Sequence, residues 1–255
     1  MSYQDLFDLN GKVALVVGAA GGLAEETCIG LAQFGATLAL ADISEENLEA
    51  VCNSLKEKGI EAWSHGVDVA EIDSVKGLTQ AIHERFGRLD ILVNFAGIGW
   101  RTPLEEIDVA EFQNMININL MGSFLLTQLS MPFMRSQGSG KIILVGSVSG
   151  QIGRPYVAHY ASSKGGVHSL VRAVAVEMAQ NNIQVNSVAP VFTMTKMTTE
   201  ILSDPEVMSS ITSTIPMGRL GLPSDLVGAI VFLSSRASDF ITGHTIFVDG
   251  GCTIS

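Results

Sequence analysis

Seven short apolar runs alternate with longer stretches of helical period, and this alternation constrains the chain more than any other feature. Lys12–Val17, Thr37–Ala41, Glu61–Val67, Leu89–Asn94, Lys141–Val145, Gln184–Val188 and Thr245–Val248 read as strands. Most are apolar at successive positions, as parallel strands covered on both faces must be. Helical stretches lie between them at Gly22–Phe34, Glu45–Lys58, Ile72–Phe86, Val109–Met134, Tyr160–Ala179 and Ser224–Leu233. Ser44 is a suitable N-cap, and Gly35 and Gly59 are suitable helix stops. The alternation predicts an α/β fold: a doubly wound parallel sheet with helices on both faces. No repeat, low-complexity tract or linker divides the chain, so a single domain over residues 1–255 is expected.

The 255 residues are 47% hydrophobic and 16% charged, which suits one sizeable core. So low a charged fraction points to further apolar surface buried between subunits. The net charge of −11, without any Lys/Arg run, argues against nucleic acid and anionic membranes as partners. Residues 1–10 carry neither a basic nor an apolar segment of a secretory signal, and no apolar run approaches the roughly 20 residues of a membrane span. Cys28, Cys52 and Cys252 lie far apart, with no CxxC and no metal-ligand spacing. Reduced thiols, a cytoplasmic location and no bound metal are the expectations.

The first strand runs into Val17-Gly18-Ala19-Ala20-Gly21-Gly22-Leu23-Ala24, followed by a helix. Glycines there permit a sharp turn and let a pyrophosphate approach the helix N-terminus, whose free N–H groups favour anions. Asp42, at the end of the second strand, is placed to accept hydrogen bonds from the ribose hydroxyls of an adenosine. Its charge would repel a 2′-phosphate, and residues 18–24 offer no cation to compensate, so NAD is expected over NADP. The plainer alternative makes Asp42 a capping or turn residue. Asp68-Val69 and Asn94-Phe95-Ala96-Gly97 close the third and fourth strands and are candidates for contact with the same cofactor, or ordinary turns.

Tyr160 and Lys164 are four apart and share one face of a helix. An ammonium beside a phenol favours the phenolate and brings tyrosine towards a usable general base. The segment Val191–Ile215, bounded by Pro190 and Pro216, reads either as a surface excursion or as a lid over a ligand. Met194, Met197 and Met208 suit an adaptable apolar cover.

The glycine loop at 18–24, the Asn94-Phe95-Ala96-Gly97 turn, Asn119, Ser147, Tyr160-xxx-Lys164, Asn186–Pro190 and Thr242–Gly251 stand in one order. Together they resemble the short-chain dehydrogenase/reductase family over essentially the whole chain. The resemblance implies a Rossmann-type fold and a catalytic set of Asn119, Ser147, Tyr160 and Lys164. Tyr160 would exchange a proton with the substrate oxygen, and Ser147 would hydrogen-bond that oxygen. Lys164 would lower the tyrosine pKa and hold the nicotinamide ribose; Asn119 would order a water leading to solvent. Gly18, Gly21, Gly22, Leu23, Asp42, Asp68, Val69, Asn94, Ala96, Gly97, Pro190, Thr193 and Thr195, with Tyr160 and Lys164, would surround NAD. Four positions depart from the family pattern: Val17, Ala24, Phe95 and Val191.

Substrate choice is expected from Ile98–Thr102, Val148–His159 and the lid. Arg101 and Arg154 can meet a carboxylate or several hydroxyls, and Arg154 joins Ser147 and Tyr160 as a substrate contact. The plainer reading leaves both arginines as solvated cations or subunit contacts. His159 is read as a neighbour on the wrong helix face. Similarity to bacterial polyol and sugar-alcohol dehydrogenases implies oxidation of a secondary alcohol on a polyol, sugar or sugar acid, to the ketone. The alternatives are a 3-oxoacyl thioester reductase and a non-catalytic NAD-binding regulator. Val109–Met134 and Tyr160–Ala179 are apolar on more than one face, which suggests subunit contacts; by resemblance the assembly is a homotetramer.

Overall fold

The computed structural model describes residues 2–194 and 204–255. Its sheet has seven parallel strands, β1 (Val13–Val17), β2 (Thr37–Asp42), β3 (Ala62–Gly66), β4 (Ile91–Asn94), β5 (Gly140–Val145), β6 (Ile183–Pro190) and β7 (Thr245–Val248), in the order β3-β2-β1-β4-β5-β6-β7. All seven expected strands form, with ends shifted by at most two residues. The chain winds outwards from β1 in one direction and, after β3, crosses to β4 and winds in the other. That reversal opens a crevice at the carboxyl ends of β1 and β4, where Val17 pairs with Asn94.

The helices are α1 (Ala24–Gln33), α2 (Glu45–Glu57), α3 (Ile72–Phe86), α4 (Val109–Ile116), α5 (Gly122–Gln137), α6 (Ala158–Met178), α7 (Pro205–Thr212) and α8 (Pro223–Ser234). Alternate residues of β1 serve opposite layers, as strand geometry demands. Leu15 and Val17 pack with Leu78 of α3, Leu126 of α5 and Val171 of α6. Ala14 and Val16 pack with Leu31 of α1, Leu55 of α2 and Ile230 of α8. A third, smaller cluster caps the carboxyl end of β6: Val148, Val191, Ile215, Leu220 and Cys252, with Met208 and Ile211 of α7 against it.

One element differs from its expected form. The continuous helix over Val109–Met134 is two helices joined by a π-helical turn, Asn117–Met121, in which the Gly122 N–H donates to the Asn117 carbonyl five residues back. The extra residue rotates the helical face, and Asn119 is completely buried as a result. Hydrophobic period alone does not reveal a one-residue insertion of this kind. Within the expected lid, α7 is an added helix capped by Asp204, whose carboxylate accepts from the Glu206 and Val207 N–H groups. Thr195 and Met197 lie outside the described residues.

Candidate active site

The glycine loop leaves β1 at Gly18, whose φ of +73° lies in the left-handed region. A side chain there would collide with the backbone of Phe95 and Ala96, so the loops after β1 and β4 touch, and only glycine permits it. Gly18 and Ala19 both donate to the Ala41 carbonyl, at 2.8 and 3.1 Å, so backbone bonds tie the loop to β2 where Val17 brings no hydroxyl. Gly21 donates back to the Gly18 carbonyl and accepts from Ala24 N–H. α1 then starts beyond Leu23 without a side-chain cap, which leaves its N-terminal dipole for an anion.

Asp42 accepts from Ala20 N–H through Oδ2 and from Ser44 N–H through Oδ1, both at 3.0 Å. The capping role and the cofactor role therefore coincide: the carboxylate braces the glycine loop and stands at the end of β2. Asp68 turns its carboxylate onto the Ala70 N–H, and Val69 packs against Gly122, so both hold the loop after β3. Asn94 is also committed internally, donating to Ser123 Oγ and accepting from Ala96 N–H, each at 3.0 Å. Its contribution is to shape the Ala96-Gly97 turn. Pro190 ends β6, and Thr193 bonds the Val191 carbonyl and bridges to Gly221.

α6 carries Tyr160 and Lys164 on one face, as their spacing predicts. Lys164 is almost fully buried and donates to the Val145 carbonyl at 2.8 Å. Burial pulls its pKa down to about 8. The Lys164 Nζ lies 5.9 Å from the Tyr160 ring centroid. The expected lowering of the phenol pKa is not found here: burial pushes Tyr160 above its usual value, and the Ser147 hydroxyl opposes this. The ammonium is directed to the strand end rather than the phenol, so desolvation dominates. Ser147 is buried and accepts from Ser149 N–H at 3.1 Å, which directs its hydroxyl across the start of the next turn.

Asn119 receives Ile98 N–H at Oδ1 and donates from Nδ2 to the Ile98 carbonyl, both at 2.8 Å, and to Ser163 Oγ at 2.9 Å. Its amide thus grips the loop after β4. A Cβ on Gly97 would stand 3.1 Å from Asn119 Oδ1 and 3.3 Å from Lys164 Nζ, so both groups flank that glycine. A Cβ on Gly99 would stand 2.7 Å from the Tyr160 ring, which places the same loop across the phenol.

The substrate-side residues divide. Arg101 is exposed, donates to the Pro155 carbonyl at 3.3 Å and lies 5.6 Å over the Tyr156 ring. Arg154, the residue before Pro155, donates to Cys252 Sγ at 2.8 Å, while its Nε is buried without a hydrogen bond. His159 is fully buried, edge-on to Trp100 and 3.7 Å from Glu111. Glu111 was not singled out from the sequence, where nothing ties it to Trp100 eleven positions earlier across a loop.

The reversal of strand order, the glycine loop at that reversal, and the Ser147, Tyr160 and Lys164 side chains beside it define a nucleotide-dependent oxidoreductase. Residues 18–253 match the family model described as enoyl-(acyl carrier protein) reductase. The chain belongs to the short-chain dehydrogenase/reductase family, whose members here interconvert secondary alcohols and ketones with a nicotinamide cofactor. It is 37% identical over 252 residues to 5-keto-D-gluconate 5-reductase of Escherichia coli K12, covering 99% of each chain. It is 38% identical over 247 residues to a 3-oxoacyl-[acyl-carrier-protein] reductase of Thermotoga maritima, covering 96% of this chain and 99% of the other. The crystal structure of a gluconate 5-dehydrogenase from Burkholderia cenocepacia in complex with NADP and tartrate superposes with a TM-score of 0.94 at 35% identity, covering 100% of both chains.

Proposed function

We propose that this enzyme oxidises a hydroxyl of a sugar acid to the ketone, and reverses the reaction, with NAD as preferred cofactor. One observation carries the sugar-acid reading. Arg101 extends from the loop whose Gly99 lies against the Tyr160 ring and reaches the Pro155 carbonyl, which leaves one exposed guanidinium on the substrate side of that loop. Guanidinium forks suit a carboxylate flanked by hydroxyls. The relatives that act on gluconate agree in substrate class. The thioester reductase reading keeps the support of the Thermotoga relative, but the exposed Arg101 beside the phenol loop favours a small acid.

The residues present fit a dinucleotide: a side-chain-free approach at Gly18, an uncapped α1 N-terminus and Asp42 at the end of β2. Residues 43–47, Ile-Ser-Glu-Glu-Asn, add no cation for a 2′-phosphate, which supports NAD even though the Burkholderia relative holds NADP. Gly21, Gly22, Ala96, Pro190 and Thr193 would line the same cofactor, with Lys164 at its ribose. When bound, the cofactor supplies or accepts the hydride.

Tyr160 exchanges the proton of the reacting oxygen, and Ser147 hydrogen-bonds that oxygen. Lys164, its pKa lowered by burial to about 8, and Asn119, both beside Gly97, form the inner end of a proton route. The 191–215 segment is read as the cover, and Met208 and Ile211 in its described part, α7, pack against the cluster at the end of β6. The unit is one catalytic domain over residues 1–255, assembled as a cytoplasmic homotetramer through the exposed apolar face of α4, the π-helical turn and α5, where Phe112, Met121 and Phe124 lie.

The test is steady-state turnover of D-gluconate, xylitol and a 3-oxoacyl thioester with each cofactor. The expected order is gluconate with NAD first, by about tenfold or more in kcat/KM over xylitol. Preference for the thioester, or no turnover of gluconate, would overturn the reading.

A further inference from the structure

The loop over the phenol is held from outside by a group that no proton transfer uses. Glu111 Oε1, on the first turn of α4, accepts from the Trp100 indole N–H and from Thr102 Oγ1, the latter at 3.2 Å. His159, fully buried, closes the back of this cluster, with Nε2 3.7 Å from the same carboxylate and its ring 5.8 Å from the Trp100 ring. Thr102 is gripped a second time, its N–H donating to the Tyr156 carbonyl at 2.8 Å. Tyr156 itself holds a φ of +68°, unusual for a bulky residue. Arg101 lies between the two gripped residues, over the Tyr156 ring. At its other end the loop is tied at Ile98 by Asn119.

We infer that Glu111 is a positioning residue for the substrate: through Trp100 and Thr102 it sets the 98–102 loop, and with it Arg101, against Tyr160. The physical reason is the shortness of the span. A five-residue loop tied at Ile98, Trp100 and Thr102 has little freedom left, so the Arg101 backbone is set before any substrate arrives. Without the carboxylate, the Trp100 indole N–H and the Thr102 hydroxyl lose their acceptor, and Trp100, already partly exposed, is released to solvent. Arg101 would then order only on binding, which weakens substrate affinity more than the chemical step.

The inference is tested first without turnover. Trp63 and Trp100 are the two tryptophans of the chain, so a Trp63→Phe background isolates Trp100. Glu111→Ala should raise acrylamide quenching of Trp100 severalfold, and Glu111→Gln, which keeps an acceptor oxygen, should restore it. Quenching unchanged in Glu111→Ala would overturn the inference. The second arm uses D-gluconate and rests on the sugar-acid reading. Glu111→Ala and Thr102→Val should each raise KM severalfold, with kcat and NADH affinity moving by about twofold or less. A fall in kcat and NADH affinity with KM unmoved would instead mark a purely structural role and also overturn it. If the wild-type protein leaves gluconate unoxidised, the substrate reading falls, and the fluorescence arm still decides on Glu111.

Discussion

Lys164 Nζ donates a 2.8 Å hydrogen bond to the carbonyl oxygen of Val145, the last residue of β5. The bond links the catalytic helix to the strand that delivers Ser147 two residues later. It also explains why the ammonium can be buried at all, since a buried donor needs an acceptor.

The burial has a measurable sign. The folded pKa of Lys164 is depressed to about 8 from an ordinary 10.5. Below pH 8 both folded and unfolded chains hold the proton, and the folded chain carries the whole desolvation cost. Between pH 8 and 10.5 the folded chain releases it first, so this group's contribution to stability rises with pH, by about 3 kcal/mol in all. In Lys164→Met that rise should vanish from denaturant unfolding measured across the window, and turnover should be lost.

Gly99 lies where a Cβ would meet the Tyr160 ring at 2.7 Å. Its φ is not positive, so Gly99→Ala should fold normally and displace the ring instead. Because a misplacement near 1 Å costs about a hundredfold, kcat should fall on that scale while NADH affinity, read by fluorescence titration, holds.

Asp42→Ala removes acceptors from Ala20 N–H and Ser44 N–H together. Charge-assisted bonds of this kind contribute about 1.5–3 kcal/mol each, so NAD affinity should fall by about tenfold or more. NADP affinity should change less, because the same substitution removes a repulsion. Isothermal titration with both cofactors checks the ratio.

His168 lies one turn after Lys164, nearly buried, with Nε2 making no hydrogen bond and its ring edge-on to Phe247. Burial first, then the charges of Lys164 and Arg172, depress its pKa to about 4 from 6.5. Between those values the unfolded chain takes up a proton that the folded chain refuses. Stability is therefore lost as pH falls from 6.5 to 4, by about 3 kcal/mol. His168→Leu should flatten that acid limb in unfolding measured at pH 7 and pH 4.5.

Tyr160, Lys164 and Asp42 were legible from helix spacing and a strand end, whereas Ser147 and Asn119 were found only through the resemblance to the family. The seven strands and the reversal of winding were legible for the same reason: strand and helix periods are local, and doubly apolar runs demand cover on both faces. The sequence also placed the glycine loop and Asp42 at the ends of the first two strands, and the structure shows that they touch.

Only the tertiary structure decided what those residues touch. The π-helical turn that buries Asn119 adds one residue to a helix without altering its apolar look. Lys164 aims at Val145 rather than at the phenol because β5 ends beneath it, a fact of packing and not of spacing. Glu111, Trp100 and His159 come from a helix, a loop and another helix, and no local period connects them. Contacts between elements depend on how the sheet twists and where each helix rests on it, and that is determined by burial of the whole core at once.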